Sequence, residues 1–382
     1  MSTAVPSVAA PCIHTRLHRL ATNLGEKCGF KSLFAVIAAA ILGIGLLSFP
    51  PPAEARISLE KCTLCHGKSE FRKVLVDGKI RDIFVTADSL KGSVHEKKTC
   101  VDCHFDVSEI PHRVRPRRVT CTHCHYKGNA EGAPQWDGYL AYFDSVHGKA
   151  IAQGNVKAPM CQDCHGSHAI VKTKNDKSAV AQQHVAETCG RCHIEIYAKY
   201  RTSIHGVAVS KGIKEAPSCT GCHGEHTIYG PKDPKSTVYA THVADQCSKC
   251  HASVSIMSKF GIETEQVHTY KESFHGVANQ FGSRTVANCS SCHGTHDIRP
   301  AADPLSSVNP QNVPKTCGKC HPGANPNFAV GKMHIDAKKK EAGIVYYVAS
   351  FFKYLTIGTM LALIAHIALD MYGRSKRLRG GK

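Results

Sequence analysis

Nine copies of one five-residue pattern, CxxCH, run through this chain, and they decide what it can fold into before any other feature does. They begin at Cys62, Cys100, Cys121, Cys161, Cys189, Cys219, Cys247, Cys289 and Cys317. Each reads as an attachment site for haem c. The first cysteine and its partner three residues on (Cys65, Cys103, Cys124, Cys164, Cys192, Cys222, Cys250, Cys292 and Cys320) form thioethers to the porphyrin edge. The next residue (His66, His104, His125, His165, His193, His223, His251, His293 or His321) is the proximal iron ligand. A zinc knuckle or a redox dithiol needs a CxxC pair but no histidine beside it. Every pair here has one, so the sequence implies nine covalently attached haems.

The other two cysteines, Cys12 and Cys28, fall in residues 1–55, which read as a signal peptide. Arg16, Arg19, Lys27 and Lys31 precede an apolar run from Leu33 to Phe49, and Ala53-Glu54-Ala55 fits a small-x-small cleavage site. An uncleaved signal anchor is the alternative. Export follows, and no cysteine remains outside the motifs for a disulfide. The formal charge of +18 is set against carboxylates the sequence does not count, the propionates of nine haems. The lysines also lack the interleaved aromatics of a base-stacking platform, which argues against nucleic acid.

An internal repeat orders the middle of the chain. DSVHG at Asp144, TSIHG at Thr202 and ESFHG at Glu272 each lead into a CxxCH that continues as CHGSH, CHGEH or CHGTH, with a second CxxCH following. The domains expected are a three-haem segment at 56–126, two-haem repeats at 127–196, 197–254 and 255–335, and a linker at 336–343. The third repeat carries twelve extra residues within Ala252 to Lys271, read as a surface insertion. Between motifs no long periodic helix or alternating strand is visible, so the fold expected is short α-helices and irregular loops. With about thirty residues per motif, protein alone cannot build an apolar core around each cofactor, and the porphyrins are expected to form most of it.

The second histidine of CHGSH raises a separate question. His165 takes one face of its own haem, and His168, three residues on, cannot reach round the ring to the other face. It is better placed to ligate a neighbouring haem. Distal candidates of this kind are His112, His168, His226 and His296. A second group lies at the SxHG position, His95, His147, His205 and His275, with His334 in GKMHID as a further candidate. These nine match the nine proximal histidines, which makes every iron six-coordinate with two imidazoles. The alternative for any one of them is a surface or propionate-bonding role. His184 and His242, five residues before a CxxCH, are read as propionate partners with axial ligation as the rival, because Asn312 holds that place in the third repeat. His123 and His268 are spare ligands. Met160, Met257 and Met333 occupy no repeated position, so axial methionine is disfavoured.

Residues 344–373 are mostly apolar and suit one transmembrane helix, with 374–382 a basic cytoplasmic tail carrying Arg374, Lys376, Arg377, Arg379 and Lys382. A buried helix of a soluble domain is the alternative. Tyr346, Tyr347, Tyr354 and Lys353 read as an outer interface belt. His366 and Asp370, one turn apart, suggest a mutual hydrogen bond, a haem or quinone site shared with a partner, or a proton relay.

The SxHG and CHGxH motifs, the nine CxxCH and the C-terminal anchor together resemble the membrane-anchored multihaem c-type cytochromes of anaerobic respiratory bacteria, particularly those reducing metals or sulfur compounds. The resemblance covers Arg56 to about Gly373. It implies an electron carrier of the kind associated with quinol dehydrogenase complexes, in the inner membrane with its haem domain in the periplasm. The implied partners are a membrane b-type cytochrome or iron–sulfur quinol-oxidising subunit and periplasmic or outer-membrane cytochromes. A multihaem reductase of the tetrathionate, nitrite or hydroxylamine type is the alternative. It would need one open iron and often shows CxxCK, whereas all nine motifs here end in histidine.

Overall fold

The computed structural model describes residues 58–70, 72–74, 80–135, 137–328 and 333–380. The proposed signal peptide, with Cys12 and Cys28, lies outside the described residues. From Leu59 onward the chain forms one unit. Among the described residues it is helical, in short pieces: fourteen α-helices of four to nine residues, several 3-10 turns, and a final helix from Ile344 to Gly380. A single antiparallel pair, Arg72–Val74 with Ile80–Asp82, is the only sheet among the described residues.

The repeat explains why the pieces are short. At each SxHG the serine caps a seven-residue helix: Ser145, Ser203 and Ser273 accept from the backbone N–H of Gly148, Gly206 and Gly276 at 3.1, 3.1 and 3.2 Å. The glycine is required because a Cβ would stand 2.2, 2.1 or 2.0 Å from the carbonyl oxygen of Tyr142, Tyr200 or Tyr270. Each CxxCH of the CHGxH type is itself a five-residue helix, Cys161–His165, Cys219–His223 and Cys289–His293. The next residue, Gly166, Gly224 or Gly294, takes φ of 86°, 79° or 82°, which ends the helix and turns the following histidine away.

Neighbouring repeats are joined by one recurring backbone hydrogen bond. The residue between Ser and His donates to the isoleucine that follows CHGxH in the next repeat: Val94 to Ile170, Val146 to Ile228 and Ile204 to Ile298, at 2.8, 2.9 and 2.8 Å. Side chains reinforce the joint, with Asp144 held by Lys235 at 2.9 Å and by Tyr229 at 2.9 Å.

Apolar burial is slight. The buried hydrophobic residues are small, Val185, Val209, Val243 and a few alanines, with Met257 the largest, and the fully buried side chains are Ser145, Ser203 and Ser306. The extra residues of the third repeat are more than a surface insertion. They include the helix Val254–Met257, which buries Met257.

The last helix is long and apolar enough to cross a membrane, and none of its apolar window is covered by the rest of the chain. It runs on through Gly380, so residues 374–380 extend the helix where a separate tail was expected. Within it Asp370 pairs with Arg374 at 2.9 Å. Lys382 lies outside the described residues.

Candidate cofactor-binding site

The CxxCH histidines face second histidines in pairs. Ring centroids are 6.3 Å apart for His66 and His112, 6.0 Å for His125 and His95, 6.0 Å for His165 and His226, and 6.2 Å for His193 and His147. They are 6.1 Å apart for His223 and His296, 6.2 Å for His251 and His205, 6.3 Å for His293 and His334, and 6.1 Å for His321 and His275. The ninth motif histidine, His104, has His168 as its leading electrostatic neighbour. Eight residues of the sequence-derived distal set thus each meet a different proximal one, and the ninth, His168, is an electrostatic neighbour of both His104 and His66.

The spacing has a chemical meaning. Two imidazoles bound through Nε2 to opposite sides of one metal at about 2.0 Å, with each ring centre roughly 1.1 Å further back, stand about 6 Å apart. The two rings are too far apart to touch and too near to leave room for a protein layer. The residues thus fit haem c: a pair of imidazoles to fill both axial positions, and beside it two cysteines on one helical turn.

Two rules govern which histidine meets which. The SxHG histidine meets the second CxxCH of its own repeat: His147 with His193, His205 with His251, His275 with His321. The CHGxH histidine meets the first CxxCH of the repeat before: His226 with His165 and His296 with His223. The two-haem repeats are therefore not self-sufficient, since each completes a site belonging to its predecessor.

Successive motifs also touch. The thiols of Cys62 and Cys100, Cys121 and Cys161, Cys189 and Cys219, and Cys247 and Cys289 lie within hydrogen-bonding reach. Cys103 and Cys124, Cys164 and Cys189, Cys222 and Cys250, and Cys292 and Cys317 are electrostatic neighbours. Every motif is thereby adjacent to the next in the sequence, and the nine sites form a series in chain order.

At many of these histidines burial favours the neutral imidazole, the form that ligates metal. It lowers the pKa of His104, His165, His223, His251 and His293, and of His168, His226, His296 and His334 opposite them. His205 is pushed down to about 4. Hydrogen bonds settle the tautomer where they are resolved. His66 Nδ1 lies 3.0 Å from the carbonyl oxygen of Ile83, which can only accept, so Nδ1 carries the proton and Nε2 is left for the metal.

The remaining histidines are occupied elsewhere. His184 Nε2 lies 2.9 Å from the carbonyl of Asp176 and His242 Nδ1 lies 2.8 Å from that of Ser236. Asn312 donates to the carbonyls of Pro304 and Ser306 at 2.7 and 2.9 Å. All three fasten the loop before the second CxxCH of a repeat, which is why asparagine can stand in for histidine. This loop contact occupies one ring nitrogen of each histidine, Nε2 of His184 and Nδ1 of His242. His123 stacks on Phe105 and His268 pairs with Glu272 at 3.2 Å.

Sequence reading overlooked one element of the site. The hydroxyl of Tyr200 donates to the carbonyl of Pro217 at 2.8 Å, that of Tyr270 to Ala287 at 3.1 Å, and that of Tyr142 to Pro159. Each tyrosine thereby ties the SxHG helix to the segment entering the next CxxCH. Its signal was present, a tyrosine three residues before every SxHG serine of the two-haem repeats. No family model, curated protein or solved structure matches the chain.

Proposed function

We propose that this protein is an electron-transfer cytochrome carrying nine bis-histidine haems c, anchored in the cytoplasmic membrane by its C-terminal helix. The observation that carries the reading is the pairing of the CxxCH histidines with second histidines, at 6.0–6.3 Å in the eight pairs with a resolved centroid distance. When bound, haem c supplies one-electron iron chemistry, with two imidazole ligands favouring a low potential range. The chain's own residues do the rest. The cysteines would tether each haem to its motif, the histidine pairs would hold the iron, and the adjacency of successive motifs would set the short separations on which electron tunnelling depends.

Filled axial positions favour a carrier over a reductase, because a substrate has no vacant iron to meet. His334, the distal residue least anchored in sequence, faces His293 as the others face their partners. The orientation that fits a c-type cytochrome places residues 59–343 in the periplasm and the basic end of the last helix, Arg374 to Arg379, on the cytoplasmic side. The partners that fit are a membrane quinol-oxidising subunit, of b-type cytochrome or iron–sulfur type, and periplasmic or outer-membrane cytochromes.

The test is a haem count with spin-state spectra. Protein purified in detergent should carry nine covalent haems by intact mass, and its ferric EPR spectrum should be low-spin throughout. A high-spin signal near one haem in nine would favour the reductase, and an absence of covalent haem would end the proposal.

A further inference from the structure

Each CHGxH histidine completes a site in the repeat before it, so the third repeat, followed by no fourth, leaves His293 without a partner of that kind. His334 takes the place, and its surroundings copy those of a repeat. In the first repeat Asp144 is bound by Lys235 of the second at 2.9 Å, and in the third the matching residue Glu272 is bound by Lys338 at 2.9 Å. Residues 334–338 thus dock on the third repeat as the stretch following a CHGxH histidine docks on the repeat before it.

The ring is held from the helix Glu265–Glu272 by the hydroxyl of Thr269, with the backbone of Gln266 beside it. Thr269, buried on the helix Glu265–Glu272, has Oγ1 at 3.0 Å from the carbonyls of Glu265 and Gln266 and at 3.2 Å from His334 Nδ1. A threonine has one hydroxyl proton, and the carbonyls can only accept it. Its lone pair is then free to accept from His334, which places the ring proton on Nδ1 and leaves Nε2 unprotonated toward His293. In the second repeat the residue before the matching tyrosine is Lys199, also a neighbour of the facing histidine, His296, but with no hydrogen bond between them.

Resting on the haem reading above, we propose that Thr269 is the positioning residue that makes His334 a distal ligand and so closes the array at the third repeat.

The experiment uses the full-length protein, with carbon monoxide added to the reduced form as a probe for open haem. Wild type and Thr269→Ser should bind none. Thr269→Val, which keeps the shape and loses the acceptor, should bind carbon monoxide at up to about one haem in nine and approach His334→Ala. Haem count by mass, expected to stay at nine, accompanies each variant. If Thr269→Val binds no more than wild type while His334→Ala binds one equivalent, the proposal is overturned. If His334→Ala itself binds none, or the chain carries no covalent haem, the ligand assignment has failed and the proposal falls with it.

Discussion

A histidine in this chain has one of two environments, and the difference is testable residue by residue. His226 and His296 stand 6.0 and 6.1 Å from the motif histidines of the preceding repeat. His226→Ala or His296→Ala should therefore leave nine haems attached but open one of them, read as about one equivalent of carbon monoxide bound to the reduced protein. His184→Ala and His242→Ala remove only a contact to a loop carbonyl and should open none, by the same titration. Glycines divide in the same way. Gly206→Ala sets a Cβ 2.1 Å from the Tyr200 carbonyl, a clash with backbone that cannot swing aside. The expected cost is about 2–3 kcal/mol, seen as a lower denaturation midpoint.

The working element is the segment Tyr-x-x-Ser-x-His-Gly, in which each fixed residue has one mechanical task. The tyrosine hydroxyl ties the segment to the stretch before the next CxxCH, the serine caps the helix, the glycine admits the preceding turn, and the histidine is left facing its partner. Tyr200→Phe removes the 2.8 Å bond to Pro217 and should cost about 1 kcal/mol by chemical denaturation. Ser203→Ala removes the cap on Gly206 and should cost a similar amount, about 1 kcal/mol. The serine, histidine and glycine were legible as a repeated string. The tyrosine was equally regular but escaped notice, because an aromatic residue near a helix start reads as packing until its hydroxyl is seen to have a carbonyl partner.

At the scale of the molecule the described residues bury too little apolar surface to hold the fold alone. The side chains with least exposure are serines, while Phe274, Phe281 and Leu305 are 82%, 88% and 75% exposed. Expressed without haem attachment, the chain should show no cooperative unfolding transition in calorimetry, whereas the haem-loaded protein should show one. Removal of residues 344–382 should release the haem-bearing part from membranes without detergent, as the last helix contributes nothing to its packing.

The sequence by itself determined the motif content of this protein: nine CxxCH copies, the histidines able to face them, the repeat that sets their spacing, and one apolar helix. These are short-range properties, written in residues that adjoin one another. Which histidine meets which was decided only by the tertiary structure. His226 reaches back into the preceding repeat to His165, and His334 is met by a threonine on the helix Glu265–Glu272, 65 residues before it. Such pairings depend on how the repeats dock. Docking is fixed by backbone contacts such as Ile204 to Ile298, which carry no signature in the order of the amino acids.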